Sequence, residues 1–226
     1  MRNKLYEWLI GDATDCCYRS SLDYFTENAV ILDVGIGNGV MVKDYHAAIK
    51  KKRLQIIGLD INSTYLRQCQ MLVEDYDLSD RIKLYQQAVE AFNPHQNGSF
   101  DFILFSMSFM LLKDQAAVLE RVANWLRPQG EIVFFQTMFK HRNRFIEVLK
   151  PRLKNLTTID FGKMTYDADF YDLLEKLHFS VQMDRCMKRT WYNGTYRIIS
   201  ARPSPPPVGP ATHKDSAKTA QTRRAT

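Results

Sequence analysis

The run Ala29-Val30-Ile31-Leu32-Asp33-Val34 passes directly into Gly35-Ile36-Gly37-Asn38-Gly39. No other stretch constrains the fold as strongly. A short apolar run that stops in glycines reads as a buried strand. The glycines let the backbone turn sharply and approach a ligand. Residues 39–51 then carry a helical pattern. A strand, a glycine turn and a helix in that order belong to open α/β sheets, where ligands bind at the carboxyl-end turns.

The rest of the body repeats this alternation. Strands are expected at Leu54–Asp60, Ile82–Gln87, Phe100–Ser106 and Glu131–Gln136, after the first at Ala29–Val34. Helices are expected at 2–10, 18–27, 63–76, 114–126, 142–152 and 169–177. Arg127-Pro128-Gln129-Gly130 stops the helix before the fifth strand. The last two strands, Phe179–Met183 and Tyr196–Ser200, are separated only by a loop and form an antiparallel hairpin. The expected class is α/β: a doubly wound, mostly parallel seven-stranded sheet with an antiparallel hairpin at one end.

Composition removes several classes. The 226 residues are 45% hydrophobic and 25% charged, which excludes a wholly disordered chain, a collagen-like chain and a small disulfide scaffold. No apolar run approaches the ~18 residues of a membrane span. The first twelve residues are too polar for a signal peptide, so a soluble, cytoplasmic protein is expected. Cys16, Cys17, Cys69 and Cys186 form no C-x-x-C pair and read as reduced structural thiols. No metal-ligand cluster is seen, so no metal is expected.

The net charge of +6 is unevenly spread. Lys214, Lys218, Arg223 and Arg224 against Asp215 place half of it beyond residue 202. Residues 203–226, which open with Pro203-Ser204-Pro205-Pro206-Pro207, read as a disordered basic Pro-rich tail. Lys50-Lys51-Lys52-Arg53 reads as the solvated end of a helix, where cations suit the dipole. Nucleic acid is not an expected partner, since no basic stripe remains. Oligomeric state is left open.

The glycine turn departs from the dinucleotide fingerprint G-x-G-x-x-G, whose third glycine would fall at Val40. Its spacing is G-x-G-x-G, with Asp33 two residues ahead. A carboxylate there suits a cationic ligand, whereas a pyrophosphate favours a bare helix N-terminus. Asp60 ends the second strand, 21 residues after Gly39. An acid at that point can accept both hydroxyls of a ribose. It can also cap the next helix, a task open equally to Asn62 or Ser63. Ile61 is placed to lie on an adenine face.

These residues, in this order and spacing, resemble the class I S-adenosylmethionine-dependent methyltransferases across roughly residues 18–202. Phe100–Ser106 resembles the family's fourth-strand motif, and Leu126–Glu131 its Leu-Arg/Lys-Pro-Gly-Gly turn. Asp169–Leu174 followed by Leu177–Val181 resembles its late helix and strand. The match is best with small stand-alone enzymes such as those of quinone biosynthesis. The resemblance implies a Rossmann-like methyltransferase fold, with S-adenosyl-L-methionine as cofactor and a small-molecule methyl acceptor.

The resemblance also implies roles. Asp33, Gly35, Gly37 and Asn38 would surround the methionine part of the cofactor, Asp60 the ribose and Ile61 the adenine. Gln87 and Ala88 match the family's Asp-Ala adenine contact, with Gln87 in place of the acid. Ser106 and Met107 would line the reactive end. Residues 1–28 would be a helical lid segment, with Tyr18 closing on the cofactor, and 29–202 the methyltransferase domain. The family's histidine after strand four is missing from Ser106–Leu112, and no catalytic base is assigned. Of the other histidines, His46 reads as surface, His178 as a helix cap and His141 as a loop residue facing the site. Two alternatives stand beside the small-molecule enzyme. One is an inactive, cofactor-binding protein of an assembly; the other is a methyltransferase for RNA or protein.

Overall fold

A computed structural model describes residues 15–94, 99–140, 165–190 and 194–204. Helix α1 covers 15–24. It is followed by β1 (Val30–Val34), α2 (Val40–Lys51), β2 (Gln55–Asp60), α3 (Ser63–Asp75) and β3 (Ile82–Gln86). Next come β4 (Phe100–Ser106), a 3-10 turn (Phe109–Leu111), α4 (Gln115–Ala123) and β5 (Leu126–Phe139). The chain closes with β6 (Thr165–Tyr166), α5 (Asp167–Lys176), β7 (Phe179–Arg189) and β8 (Gly194–Pro203).

The sheet has the order β3-β2-β1-β4-β5-β8-β7, and β6 adds to β5. β1 lies between β2 and β4, parallel to each. The chain therefore moves outward from β1 to β3 and returns to the middle at β4. That reversal opens a crevice beyond the carboxyl ends of β1 and β4. β8 runs antiparallel to both β5 and β7, as the expected hairpin requires.

The central strands are apolar because helices cover both faces of the sheet. On one face Tyr18, Leu22 and Phe25, from α1 and the residue beyond it, pack with Met41 and Ile49 of α2 and Leu66 and Val73 of α3. On the other, Val118, Leu119 and Val122 of α4 pack with Phe170 and Leu174 of α5. Each such side chain contributes about 1.5–3 kcal/mol when fully buried.

α3 and α4 start on side-chain caps. The Asn62 side chain accepts from the N–H groups of Thr64 (2.9 Å) and Tyr65 (3.2 Å), and Asp114 accepts from Ala117 N–H (3.0 Å). Asn62 thus caps α3 and leaves Asp60 free of that task. Lys52 Nζ donates to the carbonyls of Leu22 (2.5 Å), Asp23 (3.0 Å) and Phe25 (2.8 Å). The basic run at 50–53 therefore sits at a helix end, as expected, and also fastens α1 to the turn before β2.

Several boundaries differ from expectation. α4 ends at Ala123 rather than 126, because Leu126 already pairs with Phe100 of β4. Arg127–Gly130 lie inside the irregular start of β5, with a register shift opposite and Gln129 at φ 70°. β6 makes an eighth strand. β7 and β8 extend well beyond the expected segments, and Pro203 belongs to β8 rather than to the tail. The expected helices 2–10 and 142–152, His95, His141, His213 and the tail from 205 lie outside the described residues. Among the described residues no helix is long and apolar enough to cross a membrane.

Candidate cofactor site

The crevice is built on three turns: after β1, after β2 and after β4. The β1 turn folds over the end of β2, where Gly35 N–H (2.8 Å) and Ile36 N–H (3.1 Å) both donate to Leu59 O. Gly35 sits at φ 86° and Gly37 at φ 64°. A Cβ on Gly35 would stand 2.7 Å from Ser108 Cβ, so the turn after β4 admits only glycine there. A Cβ on Gly37 would meet nothing nearer than 4.0 Å. Gly37 therefore answers a backbone requirement and borders open space.

Asp33, near the end of β1, is fully buried, and neither carboxylate oxygen has a hydrogen-bond partner. Loss of hydration, and then the nearby Asp60 charge, push its carboxyl up to about 7. A buried carboxyl in this state is poised for a cation, which would restore its charge. Asp60 is organised differently. Its Oδ2 accepts from Gly37 N–H (3.0 Å) and its Oδ1 from Asn62 N–H (2.8 Å). Each oxygen keeps a further lone pair, so the group can still accept two hydroxyls. Ile61, next to it, is 73% exposed and offers an uncovered apolar surface.

The remaining expected residues lie after β3, on the β1 and β4 turns and on α1. Gln87 N–H donates to Asp60 O (3.1 Å), and its side-chain Nε2 donates to Ala91 O (3.0 Å), leaving Oε1 open. Ala88 turns the chain through its carbonyl, which accepts from Ala91 N–H (3.0 Å) and Phe92 N–H (3.0 Å). Asn38 is exposed at the tip of the glycine turn. Ser106 is buried, and Met107 takes a left-handed φ of 55° as the chain leaves β4. Tyr18 and Cys17 of α1 are buried against this region. Burial pushes the Cys17 thiol up, and burial followed by the Asp33 charge pushes up the Tyr18 phenol. α1 is held there by Tyr45 Oη, which donates to Asp15 O (2.9 Å) and Asp15 Oδ1 (2.5 Å).

His46 stacks on Tyr76 at 4.0 Å, and His178, at φ 57°, closes the end of α5 through its N–H to Glu175 O (3.0 Å). Neither reaches the crevice residues. Sequence reasoning missed Ser108, whose hydroxyl donates to Val34 O and whose Cβ limits Gly35. No local spacing marks that contact, because it joins residues 74 apart.

This part of the chain resembles known proteins. A family model described as a methyltransferase domain matches residues 31–130, which holds the glycine turn, Asp60, Gln87-Ala88 and Ser106. That match covers 100 of the 226 residues, so this part of the chain is similar to methyltransferase domains. The carboxy-S-adenosyl-L-methionine synthase of Aliivibrio salmonicida is 24% identical over 110 residues, covering 49% of this chain and 45% of that protein. The demethylmenaquinone methyltransferase of Lactiplantibacillus plantarum is 26% identical over 117 residues, covering 50% and 47%. The chain thus spans about half the length of these relatives. The structure of geranyl diphosphate methyltransferase in complex with SAM superposes with a TM-score of 0.67 at 11% identity, over 83% of this chain and 84% of that one. That likeness supports the fold alone.

The residues present fit S-adenosylmethionine. The orphaned Asp33 suits a cationic ligand, the Gly37 turn borders open space, and Asp60 has two acceptor positions left.

Proposed function

We propose that this protein is a methyltransferase, which uses S-adenosyl-L-methionine to methylate a small molecule, mainly by holding the two reactants close and aligned. The unpartnered, fully buried carboxyl of Asp33 beside the glycine turn carries this reading. When bound, the cofactor supplies an activated methyl group on a positively charged sulfur.

The chain's own part is placement. Asp33 balances the positive charge of the methionine portion. Asp60 fixes the ribose, and its bond to Gly37 N–H ties that contact to the glycine turn. Ile61 and the open Gln87 oxygen take the adenine. Ser106 and Met107 border the reactive end, and Tyr18 with Cys17 keeps water from Asp33. Correct placement of reactants alone supplies about 7–11 kcal/mol of a barrier. An already activated donor leaves little for a general base to do, which agrees with the lack of histidine from Ser106 to Leu112.

The curated relatives include a synthase as well as a methyltransferase, so turnover decides the reaction. Purified protein is incubated with S-adenosylmethionine and panels of thiols, amines, phenols and amides, and S-adenosylhomocysteine release is followed. Release above the acceptor-free rate supports the reading. Cofactor binding without release on any panel would favour a binding protein of an assembly.

A further inference from the structure

Gln136 of β5 has no solvent exposure, and neither its carboxamide nitrogen nor its oxygen has a hydrogen-bond partner. Buried polar groups in folded proteins are almost always paired, so an orphaned carboxamide calls for a ligand. Alternation along the strand puts Gln136 on the same face as Phe134 and Met138. Phe134 lies 4.9 Å from Phe109 and 5.1 Å from Phe170, ring to ring. Gln136 is two residues further toward the carboxyl end, just past this aromatic cluster.

Arg197 of β8 is the cross-strand partner of Gln136. Its guanidinium bonds Asp184 at 2.9 and 2.5 Å and reaches Asp167 Oδ2 at 3.5 Å. Asp167 Oδ1 is itself buried and unpartnered. The place therefore offers two orphaned acceptor oxygens and one orphaned donor nitrogen. One guanidinium against two carboxylates leaves it with excess negative charge. It also adjoins the expected reactive end, because Met107 N–H donates to Phe135 O at 2.8 Å, one residue before Gln136.

We propose that Gln136 and Asp167 form the polar end of the acceptor site and bind a neutral primary carboxamide carried on an apolar body. Such a group has two N–H donors and one carbonyl acceptor, the complement of the three orphaned atoms. One N–H and the carbonyl pair reciprocally with the Gln136 carboxamide, and the second N–H meets Asp167 Oδ1. The apolar body lies against the carboxyl-end edge of the packed Phe109, Phe134 and Phe170 cluster. The excess negative charge turns away a carboxylate of the same shape. The inference rests on the methyltransferase reading above.

The test uses full-length protein loaded with S-adenosylhomocysteine and titrated calorimetrically with benzamide and, separately, benzoate. Benzamide is expected to bind at least about tenfold more tightly than benzoate. Gln136→Leu is expected to weaken benzamide by about tenfold or more and to leave S-adenosylhomocysteine affinity unchanged. Gln136→Met, which nearly keeps the volume and removes both donor and acceptor, is expected to weaken benzamide likewise and serves if the Leu variant does not fold. The proposal is overturned if benzamide fails to bind, if benzoate binds as well, or if the variants bind benzamide as the wild type does. If the wild type does not take up S-adenosylhomocysteine at all, the cofactor reading fails first and this inference falls with it.

Discussion

Asp33 carries its charge at a cost that depends on pH. Its carboxyl is pushed from 3.8 up to about 7, by burial first and by Asp60 second. In the unfolded chain it returns to its ordinary value. Between about pH 4 and pH 7 the unfolded state therefore binds fewer protons than the folded one, and stability falls as pH rises through that window. The slope from this group is at most about 1.4 kcal/mol per pH unit. Thermal unfolding of the ligand-free protein at pH 5 and pH 7.5 should show this fall. Asp33→Asn should flatten it and melt higher than the wild type at pH 7.5. An unchanged pH profile in the variant would contradict the assignment. Asp33 and Asp60 were legible as candidates because short-range spacing around a glycine turn marks them. Ser108 and Gln136 were not, because each matters through a residue on another strand.

Elements were legible where one physical signal governed them and were misjudged where two competed. β1, β2 and β4 are largely buried on both sides, so a mostly apolar run marks them. β7 is an edge strand whose residues from Ser180 onward are mostly exposed, so its Asp184–Arg189 half shows no apolar pattern and was missed. The cations there suit an unpaired edge. α4 stops short because Leu126 is drawn into pairing with β4. The attachment of α1 depends on Lys52, whose ammonium group bonds three carbonyls at its carboxyl end. Lys52→Met keeps the stem and removes those bonds. It should cost about 1–3 kcal/mol in urea unfolding. It should also weaken cofactor binding, because α1 carries Tyr18 to the site. A variant as stable as wild type would show that α1 is held by its apolar face alone.

On the scale of the whole molecule, the sheet order makes the site. The return of the chain from β3 to β4 brings three distant turns to one crevice, and apolar layers on both faces hold those strands still. Phe134→Ala, at the centre of the Phe105, Phe109 and Phe170 cluster, should cost about 3–5 kcal/mol in urea unfolding. A loss below ~1 kcal/mol would mean that this layer does not support the sheet. Pro203 and Ser204, expected in the tail, belong to the fold: Pro203 ends β8 and Ser204 N–H donates to His178 O at 2.7 Å. A chain ending at Ser204 should melt within about 2 °C of the full chain, as the Pro-rich composition beyond it, poor in large apolar residues, predicts. The central claim is that the crevice at β1, β2 and β4 binds S-adenosylmethionine. Calorimetric titration of wild type and Asp60→Ala with S-adenosylmethionine tests it most directly. The account predicts binding to the wild type and a loss of about 2–5 kcal/mol in the variant, which strips two ribose hydroxyls of their acceptor. Equal affinity in the two proteins, or no binding to either, would contradict it.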